Sequence, residues 1–90
     1  MLPVSNRLPE HLQLAVGMRV PALDIMHGEL KNRMLEAEQH LEMCIAREEK
    51  SGEAIDSMDR TYAEGFLDAL VSLYQLTYDL SFAIGELDNG

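Results

Sequence analysis

Glu36, His40, Cys44 and Glu48 follow one another at intervals of four, so on a helix they fall along one line. Carboxylate, imidazole and thiolate are metal ligands, and this spacing can set them in a row beside an ion. One row cannot enclose an ion, because a second helix must complete the coordination sphere. Without it, Glu36 and His40 read as a surface pair and Cys44 as a small packing residue. Histidines paired across two copies of the chain are the one route to a metal. No metal and no cofactor are expected.

Other chemistries fail on spacing. A di-iron carboxylate centre needs Glu-x-x-His on two helices, and the sequence contains none. Glu53-Ala-Ile-Asp56 matches the second half of the magnesium pattern of all-helical pyrophosphatases, but no Glu-x-x-Glu precedes it. Acids at a helix start are favoured by the helix dipole, which explains the pair more simply. There is no glycine-rich phosphate loop and no nucleophile elbow. His11, His27 and His40 form no triad pattern with serine or cysteine and read as core or surface residues. The sequence therefore predicts no catalytic residues and a protein that is not an enzyme.

The elements that carry these side chains are helices. The 90 residues suffice for one domain, 1–90, and all three prolines lie within the first 21 positions. Residues 1–8 read as an arm. Pro9 can open a short helix over 9–17 that stops at Gly17. Pro21 can open a second helix over 21–50. Its apolar residues Leu23, Met26, Leu30, Met34, Ala37, Leu41 and Cys44/Ile45 recur in steps of three and four. Glu29 and Arg33 stand in the favourable order for an ion pair. Gly28 marks either a close helix approach or a later helix start. Ser51-Gly52 is a short break of the kind that joins antiparallel neighbours. A third helix follows over 53–87, with Asp56 or Ser57 as its cap, or a later start at the capping box Thr61 to Glu64. The expected fold is all-α: a long antiparallel helical hairpin with a short N-terminal helix, assembled as a dimeric helical bundle.

The third helix is apolar on most of its circumference, the mark of an interior helix. One stripe runs Ile55, Met58, Tyr62, Phe66, Ala69, Leu73, Leu76, Leu80, Ala83, Leu87 and is assigned to the contact with the second helix. A further stripe, Leu67, Leu70, Val71, Tyr74, Tyr78 and Phe82, is left for a protein interface. Its three aromatics offer roughly 450–750 Å² together, as much as the largest apolar patch on a typical monomer. The short first helix is too small to cover it. A second copy of the chain is the preferred cover, since two-fold association is the commonest closed solution. Met26, Met34 and Met58 fall on the core stripes, and Met18 and Met43 fall off them, as interface candidates.

Charge sets further limits. Sixteen acidic against seven basic residues give a net charge of −9. Few cations are available to replace counterions along a phosphate backbone, so direct nucleic-acid binding is not expected. The acids Glu48, Glu49, Glu53, Asp56 and Asp59 cluster at the hairpin tip and are candidates for contact with a basic partner. With Glu36, Glu38 and Glu42 of the helix before it, the same cluster reads alternatively as an acidic mimic of DNA phosphates. Asp68 and Asp79 interrupt the apolar run, so no membrane span is expected. One cysteine and an N-terminus without a signal-peptide pattern point to the cytoplasm.

The run Tyr62-Ala-Glu-Gly65-Phe-Leu-Asp68-Ala-Leu, followed by Leu73-Tyr74-x-Leu76-Thr77-Tyr78-Asp-Leu80-Ser81-Phe82-Ala83-Ile84, resembles small helical proteins encoded by phages of actinobacteria. The resemblance covers residues 61–86 and carries no catalytic residue across. It implies a protein made in the cytoplasm of an infected bacterium that binds and modulates a host bacterial protein. A structural or assembly component of the phage is the alternative.

Overall fold

The computed structural model describes residues 7–89, so most of the arm expected over 1–8 lies outside the described residues. Among those described, all regular structure is helical: α1 (Glu10–Gly17), α2 (Ala22–Ser51) and α3 (Ala54–Asn89). These spans closely follow the predicted ones. Pro9 and Pro21 each stand just ahead of a helix, where the missing N–H costs nothing. The Pro9 carbonyl accepts from the N–H groups of Leu12 and Gln13, and that of Pro21 from Ile25.

The helix ends depart from expectation in instructive ways. α1 ends at Gly17 as predicted, but the left-handed residue that closes it is Arg19, whose φ is 61°, and not the glycine. The Arg19 N–H donates to the Val16 carbonyl and the Val20 N–H to that of Ala15, the double closure that requires one left-handed residue. Gly52 fills the same conformation after α2, with φ 65°, and donates to the Glu48 carbonyl. α3 starts ahead of Asp56 and Ser57, so neither is its cap. Thr61 and Glu64 form no capping box, since Thr61 donates to the Ser57 carbonyl within the helix and Glu64 accepts from Arg60. Gly28 sits in continuous helix with nothing within 4 Å of an added Cβ, so it marks neither a close approach nor a start.

α2 and α3 pack antiparallel along a seam of alternating four- and three-residue steps. α2 contributes Leu23, His27, Leu30, Met34, Ala37, Leu41, Cys44 and Glu48; α3 contributes Asp56, Arg60, Ala63, Leu67, Leu70, Tyr74, Thr77 and Ser81. Each is buried or half-buried. Such strict alternation is the heptad pattern of helices meeting in knobs-into-holes packing. Apolar residues fill the middle, around Leu30, Ala37 and Leu70 with Met34, Leu67 and Tyr74 against them. Polar pairs hold the two ends. At one end the Thr77 hydroxyl donates to the Tyr74 carbonyl (2.9 Å) and accepts from His27 Nδ1–H (2.7 Å). The His27 ring stacks on Tyr74, with centroids 4.3 Å apart. At the other end Arg60 bridges Glu48 and Glu64, and Ser51 donates to Asp56.

This seam reverses the predicted assignment of the α3 stripes. Leu67, Leu70 and Tyr74, expected at an external interface, face α2. The stripe from Ile55 to Leu87, expected to face α2, lies outside. The polar ends explain why. His27 and Glu48 belong to the α2 seam by spacing, and only Thr77 and Arg60 can satisfy them. Turning the other stripe inward would set the apolar Leu76 near His27 and the acidic Asp59 near Glu48, so neither half-buried group would keep the partner it has here.

α1 packs on the flank of α2 and contains no buried residue. Its tie is His11, whose Nε2 lies 2.8 Å from Glu29 Oε2, while Arg33 bonds the other oxygen of the same carboxylate at 3.2 Å. The hydrogen bond from His11, with help from Arg33, holds the Glu29 carboxyl below the usual glutamate range. The molecule measures 53 × 40 × 18 Å, its long axis being the length of α3. Its radius of gyration is 17.5 Å, where a compact chain of this length has about 12 Å.

Candidate functional site

α3 carries two heptad seams. The inner one faces α2. The outer one, Ile55, Asp59, Tyr62, Phe66, Ala69, Leu73, Leu76, Leu80, Ala83 and Leu87, repeats in the same alternating steps, roughly 100° around the helix. Every one of its residues is exposed: Tyr62 at 76%, Phe66 at 50%, Leu76 at 53% and Leu87 at 81%. The outer seam is larger and more apolar than the inner one, with Asp59 its sole charge.

Beside it, α1, α2 and α3 enclose an open groove of about 510 Å³. Leu12 and Val16 of α1 form one wall, Met26 and Leu30 the floor, and Leu73 the other wall. Leu73 belongs to the seam as well, so groove and seam form one continuous apolar surface. Nearer the hairpin tip, Phe66 adjoins a depression of about 400 Å³ lined by Glu29, Arg33, Glu36 and His40. Charges of both signs thus rim the apolar strip on its α2 side.

The accessible surface of the chain is 7113 Å², about 1,800 Å² above that of a folded protein of its 10.1 kDa mass. A standard protein interface takes about 800 Å² from each partner. The unburied excess is therefore ample for one.

Of the residues predicted for an interface, Leu67, Leu70 and Tyr74 are enclosed by α2, whereas Val71, Tyr78 and Phe82 are exposed on the flank of α3 opposite the outer seam. Of the acidic tip residues, Asp56 is buried at 9% exposure and bonded to Ser51, and Glu48 is paired with Arg60. Those two serve the fold, because they close the polar end of the inner seam. Glu49, Glu53 and Asp59 are exposed. Met34 is half-buried, but Met26 and Met58, predicted for the core, are exposed along with Met18 and Met43.

The row of metal-type residues does not converge. Cys44 is buried at 1% exposure and lies 3.6 Å from His40 Nε2, so His40 pairs with the thiol and not with Glu36 as expected. Among the described residues, no three of His, Cys, Asp or Glu stand together as a metal cage. No helix among them is long and apolar enough to cross a membrane.

The outer seam was visible in the sequence but assigned to the wrong neighbour. The signal that distinguishes the two seams is the polar spacing in α2: His27 and Glu48 complete its heptads, and their complements Thr77 and Arg60 share a line on α3. Comparison of the chain with protein-family models, with curated proteins and with solved structures finds no match, so the uncovered apolar seam is itself the guide to function.

Proposed function

We propose that this protein is a non-catalytic protein-binding module whose docking surface is the outer face of α3. The observation that carries the reading is the outer seam itself: heptad spacing, large apolar side chains and exposure of every one of its residues among the described part of the chain. Heptad-spaced apolar residues are the complement of another helix. Aromatic and leucine side chains in a contiguous strip, with charges at the margin, match the anatomy of a protein interface. In the phage setting that the resemblance implies, the protein would act in the bacterial cytoplasm and its ultimate target would be a host protein.

The test is capture by the tagged protein of two kinds of prey: a differently tagged copy of the same chain, and the soluble proteins of a bacterial lysate. The bait is used as wild type and as the double variant Phe66→Glu/Leu76→Glu, checked for unchanged helicity. Prey of either kind retained by the wild type and lost with the variant is the expected result. Recovery of neither kind above background would overturn the reading.

A further inference from the structure

We infer that the outer seam of α3 is covered by the same seam of a second copy, running antiparallel about a two-fold axis. The inference rests on the protein-binding reading and names the occupant. Three observations select a second copy over a different protein.

The first is charge. Two chains of net charge −9 repel each other, and a self-contact must keep its acids apart. The outer seam holds only Asp59, near one end, and its centre from Tyr62 to Ala83 is uncharged. A surface shaped for a basic partner would instead place carboxylates along the contact.

The second is register. Antiparallel heptad seams mesh in layers that oppose unlike heptad positions. Laid over its own full length, this seam sets Ile55 against Leu87, Tyr62 against Leu80, Phe66 against Leu76 and Ala69 against Leu73. Every one of these pairs joins unlike heptad positions, and the small Ala69 faces a large neighbour at the centre. Asp59 meets Ala83, so no acid opposes another within the seam. What the residues add is that this pairing puts no acid against an acid and no charge at the centre of the contact.

The third is geometry and area. A helix in a four-helix bundle touches two neighbours about a right angle apart around its axis. The inner and outer seams of α3 are separated by roughly 100°. α2 occupies one neighbour position, and a second α3 fits the other. The whole chain carries about 1,800 Å² more surface than a folded protein of its mass, so it can lose the roughly 800 Å² per partner that a stable dimer buries.

The experiment is solution mass by light scattering and sedimentation equilibrium, over a concentration series of the full chain. The wild type is expected at about 20 kDa, twice the 10.1 kDa chain. Leu73→Glu/Leu80→Glu should raise the dimer dissociation constant at least about 100-fold, with helicity unchanged. Phe82→Glu, on the opposite flank, should leave it within about threefold. Oxidation of a mixture of Phe66→Cys and Leu76→Cys chains should yield the mixed disulfide in preference to either self-linked product; Cys44 stays in place, buried. A wild-type monomer at all concentrations overturns the inference, and so does a dimer lost with Phe82→Glu but kept with Leu73→Glu/Leu80→Glu. Preferential self-linking of Phe66→Cys overturns the antiparallel register. A monomer that still captures a lysate protein through the outer seam defeats only the second copy as occupant, and leaves the protein-binding reading standing.

Discussion

The two seams of α3 share one spacing and differ in almost everything else. The inner seam is modest in size: Ala63, Thr77 and Ser81 are small, and Asp56 and Arg60 are charged. It is nonetheless the seam that folds the hairpin, because its polar groups find partners on α2. The outer seam has the larger apolar side chains and no polar partner to require. Folding has thus taken the seam with matched polar pairs and left the more apolar one free. Apolar burial is non-directional and any apolar surface can supply it, whereas a buried histidine or glutamate accepts few arrangements. The polar groups set which faces meet, and the apolar ones set how strongly.

If that division is right, the largest stability effects belong to the centre of the inner seam. Leu70 is 7% exposed within the apolar cluster that includes Leu30 and Ala37. Leu70→Ala should cost about 2–4 kcal/mol. In a domain of this size that lowers the melting temperature by more than about 8 °C, measured by circular dichroism at low protein concentration. A loss below about 1 kcal/mol would mean that Leu70 is not enclosed, and the assignment of the two faces would have to be exchanged.

Thr77 offers a sharper and smaller probe, since it tests the polar lock and not the burial. It is 3% exposed and holds the His27 Nδ1–H. Thr77→Val keeps the volume and removes the acceptor, leaving the half-buried imidazole without its bond. The expected loss is about 1–2 kcal/mol, read from chemical denaturation. His27→Leu combined with Thr77→Val removes both polar partners and should recover most of that loss. Failure of the double variant to recover it would show that the pair does not act as a unit.

Much of this fold is legible in the sequence. Pro9, Pro21 and Gly52 punctuate the chain where the helices begin and turn, because each residue type imposes its own backbone geometry. Both stripes of α3 were legible too, since period alone reveals them. Their neighbours were not. Period does not say which of two apolar faces packs inward, and both α3 stripes match the single stripe of α2 in spacing. The deciding residues, His27 with Thr77 and Glu48 with Arg60, look ordinary one at a time. They become informative only when an antiparallel pairing brings residues 50 and 12 positions apart to the same height. The left-handed Arg19 was hidden for a different reason: nothing in its side chain announces that conformation, although the helix before it ends at Gly17 as predicted.

The smallest expected effect is the most telling for the comparison. Leu76 stands at the centre of the outer seam and is 53% exposed. Leu76→Gln keeps side-chain length and helix propensity nearly constant, so it changes little but polarity. Dilute protein, below the concentration at which copies associate, should lose no more than about 0.5 kcal/mol, because the side chain faces water before and after. Concentrated wild-type protein should melt at a higher temperature than dilute wild type, since association stabilises whatever binds the folded form alone. In Leu76→Gln that concentration dependence should shrink, while the dilute melting temperature stays where it was. An inner-seam substitution does the reverse: it lowers the melting temperature at every concentration. The two responses separate a face that builds the hairpin from a face that the hairpin presents. A cost of several kcal/mol for Leu76→Gln in the dilute chain would place Leu76 within the folding core, and the outer seam could then no longer serve as a surface held ready for another helix.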